Sequence, residues 1–374
     1  MINDDRLKPL REQIDAIDAQ ILDLLSQRAR VAQLVGHIKS ETQAPVFRPE
    51  REAQVLRKVA DHNRGPLAAH DIQTIFREIM SSCRALERRV VVSYLGPSGT
   101  FSEQAVYQQF GSAVEGLPCV SIDEVFRAAE AGTADFGVAP VENSSEGAVN
   151  RTLDLLLQTT LLISGEVSIP VRHSLMSKRG DMQGVKAICA HSQALAQCQA
   201  WLNLHYPDIE RIAMASNGEA ARRAGADDSL AAIASELAGQ QYGLQVVNSS
   251  IQDDPHNRTR FAVLGNLQTL PSGRDQTSIV FAVPNKAGAV YNMLAPLATH
   301  GVSMTRFESR PARMGAWEYY FYVDMEGHAH DAHVARALAE LKEQAAFFKM
   351  LGSYPLCVSA QDREALPLPQ DDTN

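Results

Sequence analysis

Apolar residues near the start of the chain recur at alternating intervals of three and four. Leu7, Leu10, Ile14, Ile17, Ile21, Leu24, Arg28, Val31, Val35 and Ile38 fall on one stripe, which predicts a single long helix. Arg28 alone interrupts the stripe. The helix is expected to stop near Thr42 to Pro45, and Pro49 with Glu50 and Glu52 has the composition of a second helix's first turn. That helix should end near Asn63-Arg64-Gly65-Pro66. A third, from about Ala69 to Arg88, carries Ile72, Ile75, Phe76, Ile79, Cys83 and Leu86 on its apolar side. Three helices of such unequal length do not close a bundle alone, so a bundle built from two chains is predicted.

From Val90 onward the pattern changes to short β-rich runs, each followed by a polar or glycine loop and a helix. The runs are Val90 to Leu95, Phe136 to Val141, Ala187 to Ala190 and Ala231 to Ala234, with helices opening at Ser102, Val149, Ser192 and Ser235. This alternation predicts an α/β domain with ligands at the strand carboxyl ends, and its repetition suggests two lobes around a cleft. Residues Leu267 to Gln276 read as a linker. Strands at Ser278 to Val283, Val302 to Ser309, Trp317 to Asp324 and Phe347 to Ser353, with helices at Gly288 to Thr299 and Ala332 to Gln344, then give the order βαββαβ of a ferredoxin-like unit. A tail follows. The expected division is 1–90, 91–268, 277–355 and a flexible 356–374.

Composition narrows the class. With 374 residues, 45% hydrophobic and 21% charged, the chain reads as an ordinary globular protein of several domains. No apolar run approaches the roughly 20 residues of a membrane span. Five cysteines without a CxxC pair argue against a disulfide framework or a zinc site, so a reducing cytoplasm is expected. The net charge is −9, which disfavours nucleic acid and membrane surfaces as partners. Residues 1–90 nevertheless hold 15 Lys and Arg against 13 Asp and Glu. A basic module in an acidic chain suggests a small anionic ligand.

Arg28 and Lys39 lie eleven residues apart, about 16 Å along one helix face, so their long side chains can converge on one small dianion. A register-setting polar residue in a helical seam is the plainer reading of Arg28. Arg11 lies about 25 Å from Arg28 along the axis and cannot reach the same ligand in cis; an antiparallel partner helix would bring it there. Leu10-Arg11-Glu12-Gln13-Ile14, Gln27-Arg28, Val35-Gly36-His37-Ile38-Lys39 and Pro49-Glu50-Arg51-Glu52 resemble the all-helical chorismate mutases, intertwined dimers that rearrange chorismate to prephenate. The resemblance implies that Arg11 and Arg28 bind the carboxylates, Lys39 reaches the ether oxygen and Glu52 accepts from the substrate hydroxyl, with Arg51 also in the site. Arg48, Cys83 and Glu87 replace the family's usual aspartate, serine and glutamine. Glu87 could donate to the ether oxygen only when protonated; its plainer role is a surface pair with Arg84.

Four loops follow. Gly96-Pro97-Ser98-Gly99-Thr100-Phe101-Ser102 has capping-box spacing at Thr100 and Glu103 but no GK[ST] ending, so nucleotide binding is weakly supported. Pro140 to Gly147, the run around His191 and the run Asn257 to Phe261 are rich in short hydrogen-bonding groups, each alone no more than a turn or cap. In their order, GPSGTFS, PVENSSEG, HSLM (His173 to Met176) and TRF (Thr259 to Phe261) resemble the prephenate dehydratases over residues 91–266. That resemblance implies Thr259 as donor to the leaving hydroxyl, with Thr100, Asn143, Ser144, Arg260 and Phe261 in the substrate cleft and His173 and Glu142 as further candidates, for which a structural hydrogen bond is an equal reading.

Asn285, Gly288-Ala289-Val290 and Glu308-Ser309-Arg310-Pro311 resemble the phenylalanine-binding motifs of ACT domains, with Val290 in place of a leucine. His328, His330 and His333 form a strand-to-helix turn, and no metal or other cofactor is implied. The whole chain resembles the bifunctional chorismate mutase/prephenate dehydratases: a homodimer acting on chorismate and prephenate and inhibited by phenylalanine. A dehydratase preferring arogenate and a non-catalytic amino-acid sensor are the alternatives.

Overall fold

The structure is a computed structural model describing residues 7–42, 44–283, 286–311 and 319–356. Asn285, the expected strand start at Trp317 and the tail beyond residue 356 lie outside the described residues. The chain divides into two compact units, one of residues 1–48, 55–90 and 110–115, the other of 49–54, 91–109 and 116–374.

The first unit is built on α1 (Leu7–Thr42), most of α2 (Pro49–His62) and α3 (Ala69–Ala85). The 3,4 stripe of α1 forms the helix but finds no cover in the chain: none of its residues is buried, and Leu24 is 63% exposed. Pro49 occupies the first helical turn of α2, where its missing N–H costs nothing. The third helix ends three residues earlier than its stripe predicts. Leu86 and Glu87 continue as a turn, their N–H groups donating to Cys83 O and Arg84 O. Phe47 is buried against Phe110 with ring centroids 4.8 Å apart. Arg84 lies over the Phe47 ring and donates to Phe110 O.

The second unit opens with β1 (Val91–Leu95), α4 (Phe101–Phe110), β2 (Glu115–Cys119), α5 (Ile122–Glu130), β3 (Phe136–Asn143), β4 (Gly147–Ala148), α6 (Asn150–Gln158) and β5 (Leu162–Pro170). A second lobe follows with β6 (Ser174–Ser177), β7 (Ala187–His191), α7 (Ser192–Gln197), α8 (Gln199–His205), β8 (Glu210–Met214), α9 (Asn217–Ala226), β9 (Leu230–Ala234), α10 (Glu236–Gln241) and β10 (Gln245–Asn248). Its sheet runs β10-β6-β9-β7-β8. The chain then returns as β11 (Arg258–Gly265) and inserts antiparallel between β3 and β5, giving the first lobe the order β2-β1-β3-β11-β5. Two strand-helix repeats thus become two sheets, and the first is closed by a strand from the far end of the domain.

The remaining elements are β12 (Asp275–Ala282), α11 (Ala289–Thr299), β13 (Met304–Pro311), β14 (Tyr319–Glu326), α12 (Ala332–Gln344) and β15 (Phe347–Pro355). Their βαββαβ order and antiparallel sheet, β13-β14-β12-β15, are ferredoxin-like. Residues 267–276 depart from the expected linker. Thr269, Ser272 and Asp275 are buried, and the Asp275 carboxylate accepts from the N–H groups of Ser272 (2.8 Å) and Gly273 (3.0 Å). A polar stretch is ordered here because its side chains close its own turn. Behind it, Val280, Tyr322, Leu351 and Tyr354 of the C-terminal sheet share one buried cluster with Val125, Leu153, Leu156 and Ile163 of the first lobe. Gly352 makes this contact possible: with φ +155°, it leaves room where any Cβ would collide with Ile163 O.

Candidate active sites

In the helical unit, α1 and α3 bring Lys39 and Glu87 together. Lys39 Nζ donates to Glu87 Oε2 at 3.3 Å and to Val46 O at 3.1 Å. Glu87 is only 10% exposed, packed over Gly36, where a Cβ would lie 2.6 Å from Glu87 Cγ. In place of the expected surface pair with Arg84, Glu87 pairs with Lys39, a partner the sequence did not suggest, while Arg84 meets Phe47 and Phe110. Arg28 is half-buried on the face that Lys39 shares, and Arg11 is exposed near the start of the helix. Cys83 is buried and Arg48 half-buried. Arg51 and Glu52 occupy the first turn of α2, exposed and half-buried respectively.

In the second unit, strand pairing sets Thr259 of β11 opposite Asn143 of β3. Asn143 Oδ1 accepts from the N–H groups of Ser145 (3.0 Å) and Glu146 (3.2 Å), which leaves its amide nitrogen pointing across the pair. Nδ2 donates to Thr259 Oγ1 at 2.9 Å and to Asn257 Oδ1 at 3.1 Å. Asn257 Oδ1 also accepts from Ser144 Oγ at 3.3 Å, and Ser144 Oγ accepts from the N–H of Arg258 at 2.9 Å. Since Thr259 Oγ1 accepts from Asn143, its own proton is available to a ligand.

Arg260 and Phe261, also expected at the cleft, are placed differently from Thr259. Phe261 is buried in the sheet. Arg260 donates to Glu142 Oε2 (3.2 Å), Glu166 Oε2 (2.8 Å) and Asp324 Oδ2 (2.9 Å). Burial opposes its charge, but Glu166 and Asp324 outweigh that and hold the guanidinium above its usual range. Burial likewise raises Glu166, with Arg260 pulling the other way. Thr100 serves its helix: Oγ1 donates to Leu95 O and accepts from Glu103 N. The Glu103 carboxylate accepts from Gly99 N–H at 2.6 Å, one residue before the N-cap, so the expected capping box is made on the Thr100 side and shifted on the Glu103 side.

His173 is buried, with Nε2 3.0 Å from Gln197 Oε1 and its ring edge-on to Phe101 at 5.7 Å. An amide oxygen can only accept, so the proton sits on Nε2 and Nδ1 is a bare acceptor. Burial holds the imidazole below its usual range. His173 Nδ1 and Gln197 Nε2 are both buried without a protein partner, one acceptor and one donor. Nearby opens a cavity of about 690 Å³, lined by Phe101 and Tyr107 of the first lobe, Ser235 and Glu236 of the second, and Pro170 and Arg172. Pro170, at the cavity wall, is the β5 partner of Arg258, the residue before Thr259. Among the described residues, Arg172 is the cavity's one cationic lining residue. Gln197 and Arg172 carry no motif of their own, and the signals that reveal them, an orphaned atom and a cavity-lining cation, exist only in three dimensions; Asn257 belongs to the loop picked out by sequence, but its shared acceptor is visible only in the fold.

The expected effector residues divide between an exposed helix start and a strand. Gly288 (φ +77°) precedes α11, with Ala289 and Val290 in its first turn. On β13, Glu308 and Arg310 are half-buried while Ser309 and Pro311 are exposed. Arg310 is tied to α6, pairing with Asp154 at 3.1 Å and donating to Asn150 O. In the turn with His330 and His333, His328 Nδ1 accepts from His330 N at 3.0 Å and its Nε2 faces Thr269 O at 3.2 Å.

Family models match both units: chorismate mutase type II over residues 10–88 and prephenate dehydratase over residues 92–269. The bifunctional chorismate mutase/prephenate dehydratase of Neisseria gonorrhoeae is 48% identical over 95% of this chain and 98% of that protein. The Escherichia coli protein of the same name is 32% identical over 95% and 97%. Among solved structures, prephenate dehydratase of Arthrobacter aurescens in complex with L-Phe superposes with a TM-score of 0.66 at 34% identity, covering 73% of this chain and 94% of that one. A protein described as a quorum-quenching acylase superposes equally well, TM-score 0.66 at 30% identity over 71% and 98%, so the fold by itself does not select the chemistry. Matched in both catalytic modules and along nearly its whole length, the chain belongs to the bifunctional chorismate mutase/prephenate dehydratases.

Proposed function

We propose that residues 1–90 rearrange chorismate to prephenate, that residues 91–268 convert prephenate to phenylpyruvate, and that residues 277–355 are an ACT domain through which phenylalanine inhibits the second step. The rearrangement requires a compressed substrate and positive charge at the ether oxygen, with no nucleophile. Lys39, aimed by Glu87 and Val46 O, supplies that charge. Arg28 binds a carboxylate, and Arg11 is delivered by a second chain, whose helix covers the exposed stripe of α1. The family resemblance adds Arg48, Arg51, Glu52 and Cys83 as further substrate-binding residues. A cytoplasmic location is supported by four cysteines that are buried as free thiols.

The dehydratase reading is carried by one observation, the hydrogen bond from Asn143 Nδ2 to Thr259 Oγ1. Dehydration expels carbon dioxide and the ring hydroxyl as the ring becomes aromatic. A threonine hydroxyl is a poor acid, but one that accepts a hydrogen bond is a stronger donor, and the Asn143 amide stabilises charge developing on Oγ1. Thr259 thus polarises the departing hydroxyl. Arg172 of the cavity offers a counter-charge to the substrate's anionic groups.

In this reading Thr259→Ala lowers phenylpyruvate formation from prephenate by about 10²-fold or more while chorismate consumption stays within twofold of wild type. A variant whose dehydratase rate remains within a few-fold would remove Thr259 from its role.

A further inference from the structure

The Arg260 guanidinium stands where the first lobe's sheet meets the C-terminal sheet. Glu142 of β3 and Glu166 of β5 approach from the first lobe, and Asp324 of β14 approaches from the other side. Arg306 of β13 adds a second cation, with Nε 3.1 Å from Glu142 Oε2. Asp324 is itself fixed: Ser278 Oγ donates to its Oδ1 at 2.6 Å, Tyr354 OH lies 2.7 Å from Ser278 Oγ, and Gln276 Nε2 donates to Tyr354 OH (3.0 Å) and Glu166 Oε2 (3.3 Å).

Side chains alternate along a strand. Thr259 and Asn143 therefore share one face of the β11–β3 pair, and the next register pair, Arg260 and Glu142, faces the other way. On its β3 side the ladder is irregular at this point, because the register shifts between Arg260 and Phe261 and a bulge bends the strand, while pairing with β5 runs unbroken from Arg258 to Val263. The ion network sits beside that irregularity. Nor is it required for cohesion: the two sheets already share Val280, Tyr322, Leu351 and Tyr354 with the first-lobe core, and a buried ion pair adds little net stability over apolar packing. What it adds is direction, since charge-assisted hydrogen bonds to a planar guanidinium fix angles as well as distances.

We propose that Asp324 is a positioning residue of the dehydratase, contributed by the C-terminal domain, which acts through Arg260 to hold Thr259 and Asn143 in alignment across the bulge. The inference rests on reading Thr259 as the donor to the leaving group. It also assigns a route for control: Arg306 lies two residues before Glu308 on β13, so a displacement of that strand reaches Glu142, the neighbour of Asn143.

The test uses the full-length chain with purified prephenate, and chorismate consumption as an internal measure of folded protein. Asp324→Asn keeps the shape and the Ser278 contact but removes the charge. Its kcat for phenylpyruvate formation should fall at least tenfold with KM within threefold, and its inhibition by phenylalanine should weaken. Asp324→Glu should recover most of kcat. A wild-type kcat in Asp324→Asn would overturn the inference, and so would a loss confined to KM. Should Asp324→Asn not fold, Arg306→Gln is read by the same criteria. A wild-type protein that turns over chorismate but not prephenate would instead overturn the reading of the site.

Discussion

Gly36 lies three residues before Lys39 on α1, and the Glu87 side chain packs where its Cβ would be. Alanine there improves helix propensity by about 0.5–1 kcal/mol but pushes a flexible carboxylate away from the ammonium it aims. Gly36→Ala should therefore raise the thermal midpoint slightly while lowering mutase kcat/KM by about tenfold, one pKa-sized increment of 1.4 kcal/mol in transition-state binding. Equal or higher mutase activity would show that Glu87 does not orient Lys39. His173 supports a pH prediction. Its folded-state value is held below the ordinary one of about 6.5, so between the two the unfolded chain binds more protons. The stability it contributes is present above about pH 6.5 and lost as pH falls through the folded value. Urea midpoints measured from pH 7.5 to 5.5 should fall less steeply in His173→Gln than in wild type; parallel slopes would mean that the buried imidazole is not the source. Residues such as Arg28 and Lys39 were legible in sequence because helical spacing alone places them on one face. Gln197 was not, since its role depends on which neighbour's lone pair or proton is left over.

Elements were legible where one face alone meets water or a partner. The α1 stripe predicts a helix stopping near Thr42 to Pro45, and the helix ends at Thr42. Strands β1, β3, β7 and β9 are apolar runs, and each was predicted within two residues at either end. By contrast β2 (EGLPC), β8 (ERIAM) and β10 (QVVN) are short and mixed. Each lies at the edge of its sheet, β2 on β1, β8 on β7 and β10 on β6, where half-exposed, mixed residues leave no apolar run for periodicity to record. Strand β11 illustrates the limit further. The motif TRF marks its chemistry, yet nothing local indicates that it crosses back between β3 and β5, and that crossing is what sets Thr259 beside Asn143. Residues 267–276 have the polar and glycine content of a linker and are packed all the same.

Across the whole molecule, the exposed run of Leu10, Ile14, Ile17, Ile21 and Leu24 on α1 is an apolar surface that a single chain does not cover, and such surfaces mark association. If a second chain supplies the cover, each mutase site combines Arg28 of one chain with Arg11 of its partner. Arg11→Ala and Arg28→Ala homodimers should both be nearly inactive as mutases, while their co-refolded mixture should regain about a quarter of wild-type sites under random pairing. Isolated heterodimers without recovered mutase activity would rule out sharing of the site.

The cluster that joins Val280, Tyr322, Leu351 and Tyr354 to the first lobe also constrains how this enzyme can escape control by its end product. Deleting the last hundred residues would strip one wall from the catalytic core, so a premature stop codon sacrifices the activity along with its brake. On the proposal that phenylalanine acts through the C-terminal domain, desensitised alleles are therefore expected as single amino-acid replacements along β13, β14 and the start of α11, and cells that depend on this enzyme and are selected on a toxic phenylalanine analogue should accumulate missense changes there, with truncations absent from the survivors.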